Sequence, residues 1–133
     1  MKYLFVFTVS LLSICSCLST FEIIPPPREK PKLETLLTPG FKNHWMNKVK
    51  SKYSYPRKLQ EKGITGWVAV KFNILEDGSV SEPTVIDSSP PNVFDDYAVR
   101  AVSFGRYKYI GPSESPVKAI GNVVIVTYGL IKK

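Results

Sequence analysis

The alternation of apolar and polar positions is sharpest from Gly66 onward. Val68, Val70, Phe72 and Ile74 fall on one side of an extended chain, and Trp67, Ala69, Lys71 and Asn73 on the other. Successive side chains of a strand point to opposite faces, so this period of two predicts a strand. Asp77-Gly78 follows, a dipeptide that favours the tight turn of a hairpin. A second strand is expected from about Val80 to Asp87. Pro83 lies inside it and has no N–H to give to a ladder, so this strand belongs at a sheet edge or carries a bulge there.

Ser88-Ser89-Pro90-Pro91 breaks the strand pattern. Asn92 then reads as a helix cap, with Asp95 and Asp96 favourably placed in the first turn. Phe94, Ala98, Ala101 and Val102 fall at i, i+4, i+7 and i+8, the stripe of a core-facing helix. Gly105 weakens the helix end, and Tyr107, Tyr109, Gly111 and Pro112 read as a loop. A last strand runs from about Val117 to Leu130, dense in β-branched residues. Upstream, Ser54-Tyr55-Pro56 opens a short helix with Pro56 in its first turn, and Gly63 suits its C-cap. The order helix, strand, strand, helix, strand predicts an α+β domain. Two short helices packed on a three-stranded antiparallel sheet bury the apolar residues most simply.

Before residue 53 the pattern changes. Met1 and Lys2 precede an apolar run from Tyr3 to Leu12, then small and sulfur-bearing residues. A charged start, a short apolar run and small residues before a break are the pattern of a secretory signal peptide, expected over residues 1–16. The run is short for a membrane-spanning helix, which needs about 20 apolar residues. Residues 17–52 read as a tether containing Pro25-Pro26-Pro27 and Pro31. Such a stretch favours polyproline II, stiff and poor at packing, and about 20 residues of it reach on the order of 60 Å. Within the tether, Thr38-Pro39 signals a helix start, and Phe41, Trp45 and Val49 share one helical face, predicting a short amphipathic helix from about 39 to 51.

Composition narrows the chemistry. The chain has 133 residues, a formal net charge of +7, two cysteines and one histidine. Lys48, Lys50, Lys52, Arg57, Lys58 and Lys62 form the only basic cluster, and no nucleic-acid motif accompanies it. It reads as a solvated face near a membrane, so no nucleic-acid partner is expected. Cys15 and Cys17 both lie at the N-terminus, which leaves the folded part without a disulfide, and no metal site or cofactor is expected. His44 stands in a polar stretch and reads as a surface residue. Asp77, Asp87, Asp95 and Asp96 are explained by turns and a helix start, and nothing supports nucleophilic chemistry, so no catalytic residue and no enzyme are expected.

Residues from about 53 to 130 resemble the TonB C-terminal domain family. The resemblance rests on Tyr55-Pro56, Gln60, Ile64, Gly66, the strand Val68, Val70, Lys71, Phe72, and Asp77-Gly78 with Val80. It continues through Pro90, Asn92, Phe94, Ala98 and Ala101 to Arg106-Tyr107. The domain is assigned to residues 53–133. Where the family has a large aromatic two residues before this tyrosine, the chain has Gly105, and Phe104 is expected to fill the same pocket. The family's energy transducers carry a membrane helix with a Ser and a His on one face. His44 lies far beyond the apolar segment here, and the linker is short.

The resemblance implies a non-enzymatic module that grips a peptide of an outer-membrane transporter, or another envelope protein, by adding it as a strand to an exposed edge. The matching edge is the last strand, with backbone groups of Asn122, Val123, Val124, Ile125, Val126 and Thr127. Tyr55 and Pro56 are further candidate partner-binding residues. An open edge also pairs with a second copy of itself, which makes a homodimer the other outcome. The N-terminal segment resembles a bacterial lipoprotein signal: Ile14-Cys15-Ser16-Cys17 places the lipidated residue at Cys17, whereas Cys15 would follow a bulky Ile14. Cys17 would tie the protein to a membrane through its acyl chains. Leu18 in second place implies the periplasmic side of the outer membrane, with an inner-membrane signal anchor as the alternative. Two functions follow: a periplasmic module linked to TonB-dependent transport, or an envelope lipoprotein of the same fold with a structural or assembly role.

Overall fold

The computed structural model describes residues 23–38, 42–48 and 54–130. The expected signal segment, Cys17 and both ends of the helix expected over 39–51 lie outside them. The elements in chain order are α1 (Leu33–Leu36), β1 (Trp45–Asn47), α2 (Arg57–Glu61), β2 (Gly66–Ile74), β3 (Val80–Ser89), α3 (Asp95–Ser103), β4 (Tyr107–Tyr109) and β5 (Ala119–Tyr128). The main sheet is antiparallel with order β3-β2-β5, and β1 and β4 form a separate two-stranded ribbon. The expected three-stranded sheet with short helices is the architecture found.

Period-two alternation explains why β2 is central. Val68, Val70, Phe72 and Ile74 are all buried on the front face. They pack with Phe94, Ala98 and Val102 from α3 and its approach, and with Val126 and Tyr128 of β5. The Phe94 ring stacks on Tyr128 with centroids 4.3 Å apart, and Tyr55 packs against both rings at 5.9 and 5.7 Å. Gly66 leads β2 because nothing larger fits. A Cβ there would stand 2.7 Å from Phe94 Cε2 and 2.7 Å from the Ser89 carbonyl oxygen.

The hairpin closes as its residues dictate. Gly78 has φ of 83°, a region glycine enters without steric cost. Its N–H donates to the Leu75 carbonyl at 2.9 Å. The Asp77 carboxylate accepts from the backbone N–H and the hydroxyl of Ser79 at 2.9 and 2.5 Å. Those bonds, the hydroxyl's first, hold its pKa below the usual aspartate value.

Both expectations for Pro83 hold. β3 is a sheet edge, and its register slips twice. Ile86 is one extra residue between the pairs Ala69–Asp87 and Val70–Val85. Glu82 and Pro83 together face only Phe72, between Lys71–Thr84 and Asn73–Ser81. Glu82 takes a positive φ of 52° at this bulge.

Five local expectations fail. Trp45 sits in a strand, not a helix. Its ring is buried edge-on to Tyr109 at 5.2 Å, and its Nε1–H donates to the Val117 carbonyl at 2.9 Å. The ladder partner comes from Tyr107–Tyr109, itself expected as a loop. Two short segments each lacking a strong signal pair because each satisfies the other's backbone groups. Asn92 does not cap α3. It takes a left-handed φ of 61° in the turn before it, a conformation asparagine tolerates. The N-cap position is Phe94, without a side-chain cap. Phe104 does not fill a pocket, being 71% exposed. The space beside buried Gly105 is taken by the Tyr107 ring and Val80.

The fifth failure concerns the tether. Residues 28–37 do not hang free but strap the back face of the sheet. The Arg28 N–H donates to Ser89 Oγ at 2.8 Å, and its guanidinium reaches Asp87 at 2.9 Å and the Ser88 carbonyl at 3.3 Å. The guanidinium also lies 5.7 Å from the centroid of the Trp67 ring, whose Nε1–H donates to the Arg28 carbonyl at 2.9 Å. Farther on, Leu36 and Leu37 pack with Ile125 on a second cluster of Trp67, Ala69 and Val123. The strap thus crosses from β3 over β2 to β5. A polyproline-type backbone makes no internal hydrogen bonds, so its N–H and C=O groups are free to bond what they cross. The Arg28–Asp87 ion pair is largely exposed at 65% and 39%, so on its own it contributes on the order of 0.2–1 kcal/mol.

Two outcomes test this account. Gly66→Ala overpacks the turn into β2 and should cost about 1–3 kcal/mol, and Phe94→Ala about 3–5 kcal/mol. The double variant should lose less than the sum in urea unfolding, because removing the ring relieves part of the clash. The lowered Asp77 pKa gives the second. Its contribution to stability is complete above the ordinary aspartate pKa of about 3.9 and fades as pH falls through the lower folded value. Melting temperatures of Asp77→Asn should therefore fall less steeply than wild type on acidification below that point.

Candidate functional site

The two edges of the sheet are built differently. Along β3, two bulges, Pro83 and the left-handed Glu82 break any run of evenly spaced backbone groups. Such devices discourage the pairing of another strand. Along β5, the register with β2 is unbroken from Tyr128, opposite Gly66, back to Asn122, opposite Phe72. Only beyond Asn122 does it shift, where Gly121 takes φ of 79° and its N–H donates to Asn73 Oδ1 at 3.0 Å. Among the described residues no backbone hydrogen bond joins Asn122–Thr127 to anything but β2. Alternate residues of an edge strand turn their N–H and C=O outward, so β5 offers a regular row of them.

The six residues expected to bind a partner lie together on this strand. Val124 and Val126 face the front core, whereas Val123 and Ile125 pack on the back cluster. Asn122 is buried, its Nδ2 donating to the Ala119 carbonyl at 3.3 Å. Thr127 is exposed. These side chains therefore serve the fold, and what the strand turns outward is backbone.

The other two expected residues lie elsewhere. The Tyr55 hydroxyl donates to the Ile64 carbonyl, its ring is shared with Phe94 and Tyr128, and burial pushes its pKa up. It is a core residue that ties the entry of α2 to the start of β2. Pro56 lines a separate hollow of about 350 Å³ with Tyr97, Arg100 and Phe104 on the outer side of α3. Tyr55 meets β5 only at Tyr128 on the front, core-facing side, and Pro56 lies apart from the strand.

Five residues that sequence reasoning passed over do adjoin that edge. Lys30, Pro31, Lys32, Leu33 and Glu34 line a groove of about 780 Å³ with Val124 and Ile125. Consecutive strand residues point to opposite faces, so a hollow touching both wraps around the strand's free side. The only available signal was Leu33, Leu36 and Leu37 at i, i+3 and i+4, a short apolar stripe hidden in proline-rich sequence. Among the described residues no group of His, Cys, Asp and Glu is placed to hold a metal, and no helix is long and apolar enough to cross a membrane.

Comparison with known proteins agrees with this architecture. The solution structure of the Pseudomonas aeruginosa TonB C-terminal domain superposes with a TM-score of 0.55 at 24% identity, covering 69% of this chain and 92% of that one. The TonB2 protein of Vibrio anguillarum gives 0.52 at 21%, covering 81% and 99%. These likenesses show the fold. Among curated relatives, the TonB protein of Helicobacter pylori strain J99 is 32% identical over 81 residues, covering 58% of this chain and 29% of that protein. That of Pseudomonas aeruginosa is 37% identical over 54 residues, covering 41% and 16%. The chain spans less than a third of the length of these relatives. A family model described as the Gram-negative bacterial TonB protein C-terminal matches residues 51–130, well over half of the 133 residues, and so this chain belongs to the TonB C-terminal domain family.

Proposed function

We propose that the chain is a periplasmic protein-interaction module that binds an extended segment of an outer-membrane transporter as an added strand on β5, in the service of TonB-dependent transport. The observation that carries this reading is the asymmetry of the two edges: β3 is obstructed, and β5 keeps an unbroken register with β2 and an uncovered outer side from Asn122 to Thr127. Main-chain hydrogen bonds would supply the affinity. The relatives named TonB make a transporter the natural partner. No catalytic constellation is required by this role.

A second reading has its own support. Ile14-Cys15-Ser16-Cys17 has the form of a lipoprotein signal, and a triacylated Cys17 would anchor the module in an envelope membrane through several chains. An envelope lipoprotein with a structural or assembly role would use the same edge for another protein or for a second copy.

Strand addition has a distinctive signature. Synthetic peptides from the N-terminal segments of outer-membrane transporters should shift the backbone amide resonances of Asn122–Thr127. N-methylation at every second peptide residue should abolish binding in one phase and spare it in the other, because only alternate amides face β5. Equal sensitivity in both phases, or shifts confined to α3, would remove the β5 reading. Mass spectrometry of the mature protein should find Cys17 as a triacylated first residue, and an intact Met1 would reject the lipid anchor.

A further inference from the structure

We propose that strap residues Lys30–Glu34 form the outer wall of the β5 site, and that Leu33, with Pro31, selects an apolar side chain on the back face of the bound peptide. The proposal rests on the strand-addition reading above and adds a determinant of specificity to it.

Both ends of the strap are pinned. At one end Arg28 is held by Ser88, Ser89, Asp87 and Trp67. At the other, Leu36 and Leu37 are packed on the back cluster. The piece between is shaped by Thr35, whose N–H and hydroxyl both donate to the Lys32 carbonyl at 3.0 and 2.7 Å. Residues 30–34 are thus held beside β5 before any partner arrives, which lowers the ordering cost of binding.

The strap flanks the edge without occupying it. No backbone hydrogen bond joins it to Asn122–Thr127 among the described residues, yet it shares the 780 Å³ groove with Val124 and Ile125. An added strand would lie about 4.8 Å from β5, with side chains alternating between the faces. Those on the back face would point to the side where Ile125 packs with Leu36 and Leu37. The wall there is apolar at Pro31, Leu33 and Ile125 and charged at Lys30, Lys32 and Glu34. Leu33 remains 42% exposed although it lies between the two pinned ends. An apolar peptide side chain seated against it would remove that surface from water, which is the favourable direction. The groove therefore fits an extended peptide that carries an apolar residue at one back-face position, with specificity set by the strap and affinity by β5.

The test is a change of specificity. A random heptapeptide display library is selected on the immobilised full chain and, in parallel, on Leu33→Asp and Arg28→Ala. Wild type should enrich an apolar residue at one position. Leu33→Asp should replace that preference with Lys or Arg and leave neighbouring positions unchanged, and it should weaken a wild-type consensus peptide about tenfold, the effect of one lost apolar contact. Arg28→Ala, which removes the guanidinium's bonds to Asp87 and Ser88 and its contact with Trp67 but keeps the two backbone bonds, loosens that end of the strap and should blunt the preference without reversing it. Leu33 is partly exposed, so its substitution leaves the core intact. If selected peptides shift β5 amides but wild type and Leu33→Asp enrich the same residues, the wall is refuted and strand addition stands. If no peptide shifts β5 amides, strand addition falls and the wall with it.

Discussion

The domain depends on burying β2 from both sides. Its front residues, Val68, Val70, Phe72 and Ile74, are covered by α3 and by Phe94. Its back residues, Trp67 and Ala69, are as deeply buried, but the only helix near them is the single turn α1, which belongs to the strap. A small sheet with helices on one face leaves the other to water, and a tryptophan there would be left exposed. The strap solves this by lying across the sheet. The hydrogen bond from Trp67 to the Arg28 carbonyl joins the two, giving the indole N–H a partner as well as a cover.

That solution has consequences for the edges. Arg28 is tied to Asp87, Ser88 and Ser89 at the end of β3, so one end of the strap reinforces an edge already obstructed by bulges and Pro83. The other end reaches β5 and stops beside it. The cover for the back face thereby becomes a flank for the open strand. Core packing and the surroundings of the open strand are set by the same few residues.

Much of this architecture is legible in the chain. The alternation from Gly66 to Ile74 identified the central strand, Asp77-Gly78 the hairpin, and Pro83 an irregular edge. The stripe through Phe94, Ala98 and Val102 identified the core helix, and the β-branched run identified β5. Each is a local signal: a period, a turn conformation or a missing donor, written in neighbouring residues. The site residues on β5 followed from that strand and from the family pattern. Tyr55 stood out by its place in the motif, but its packing on Phe94 and Tyr128 was hidden, because those contacts join residues far apart in sequence.

By itself the sequence determined the main elements, their order and which faces are apolar, since these depend on residues a few positions apart. Tertiary structure alone decided that Trp45 pairs with Tyr109 in a ribbon, that the proline-rich segment straps the back of the sheet, and that its middle lines the groove beside β5. Proline-rich and loop-like stretches have no periodicity to declare a partner. Their backbone groups and scattered apolar side chains take whatever surface the folded sheet presents, and that surface exists only once the distant strands have come together.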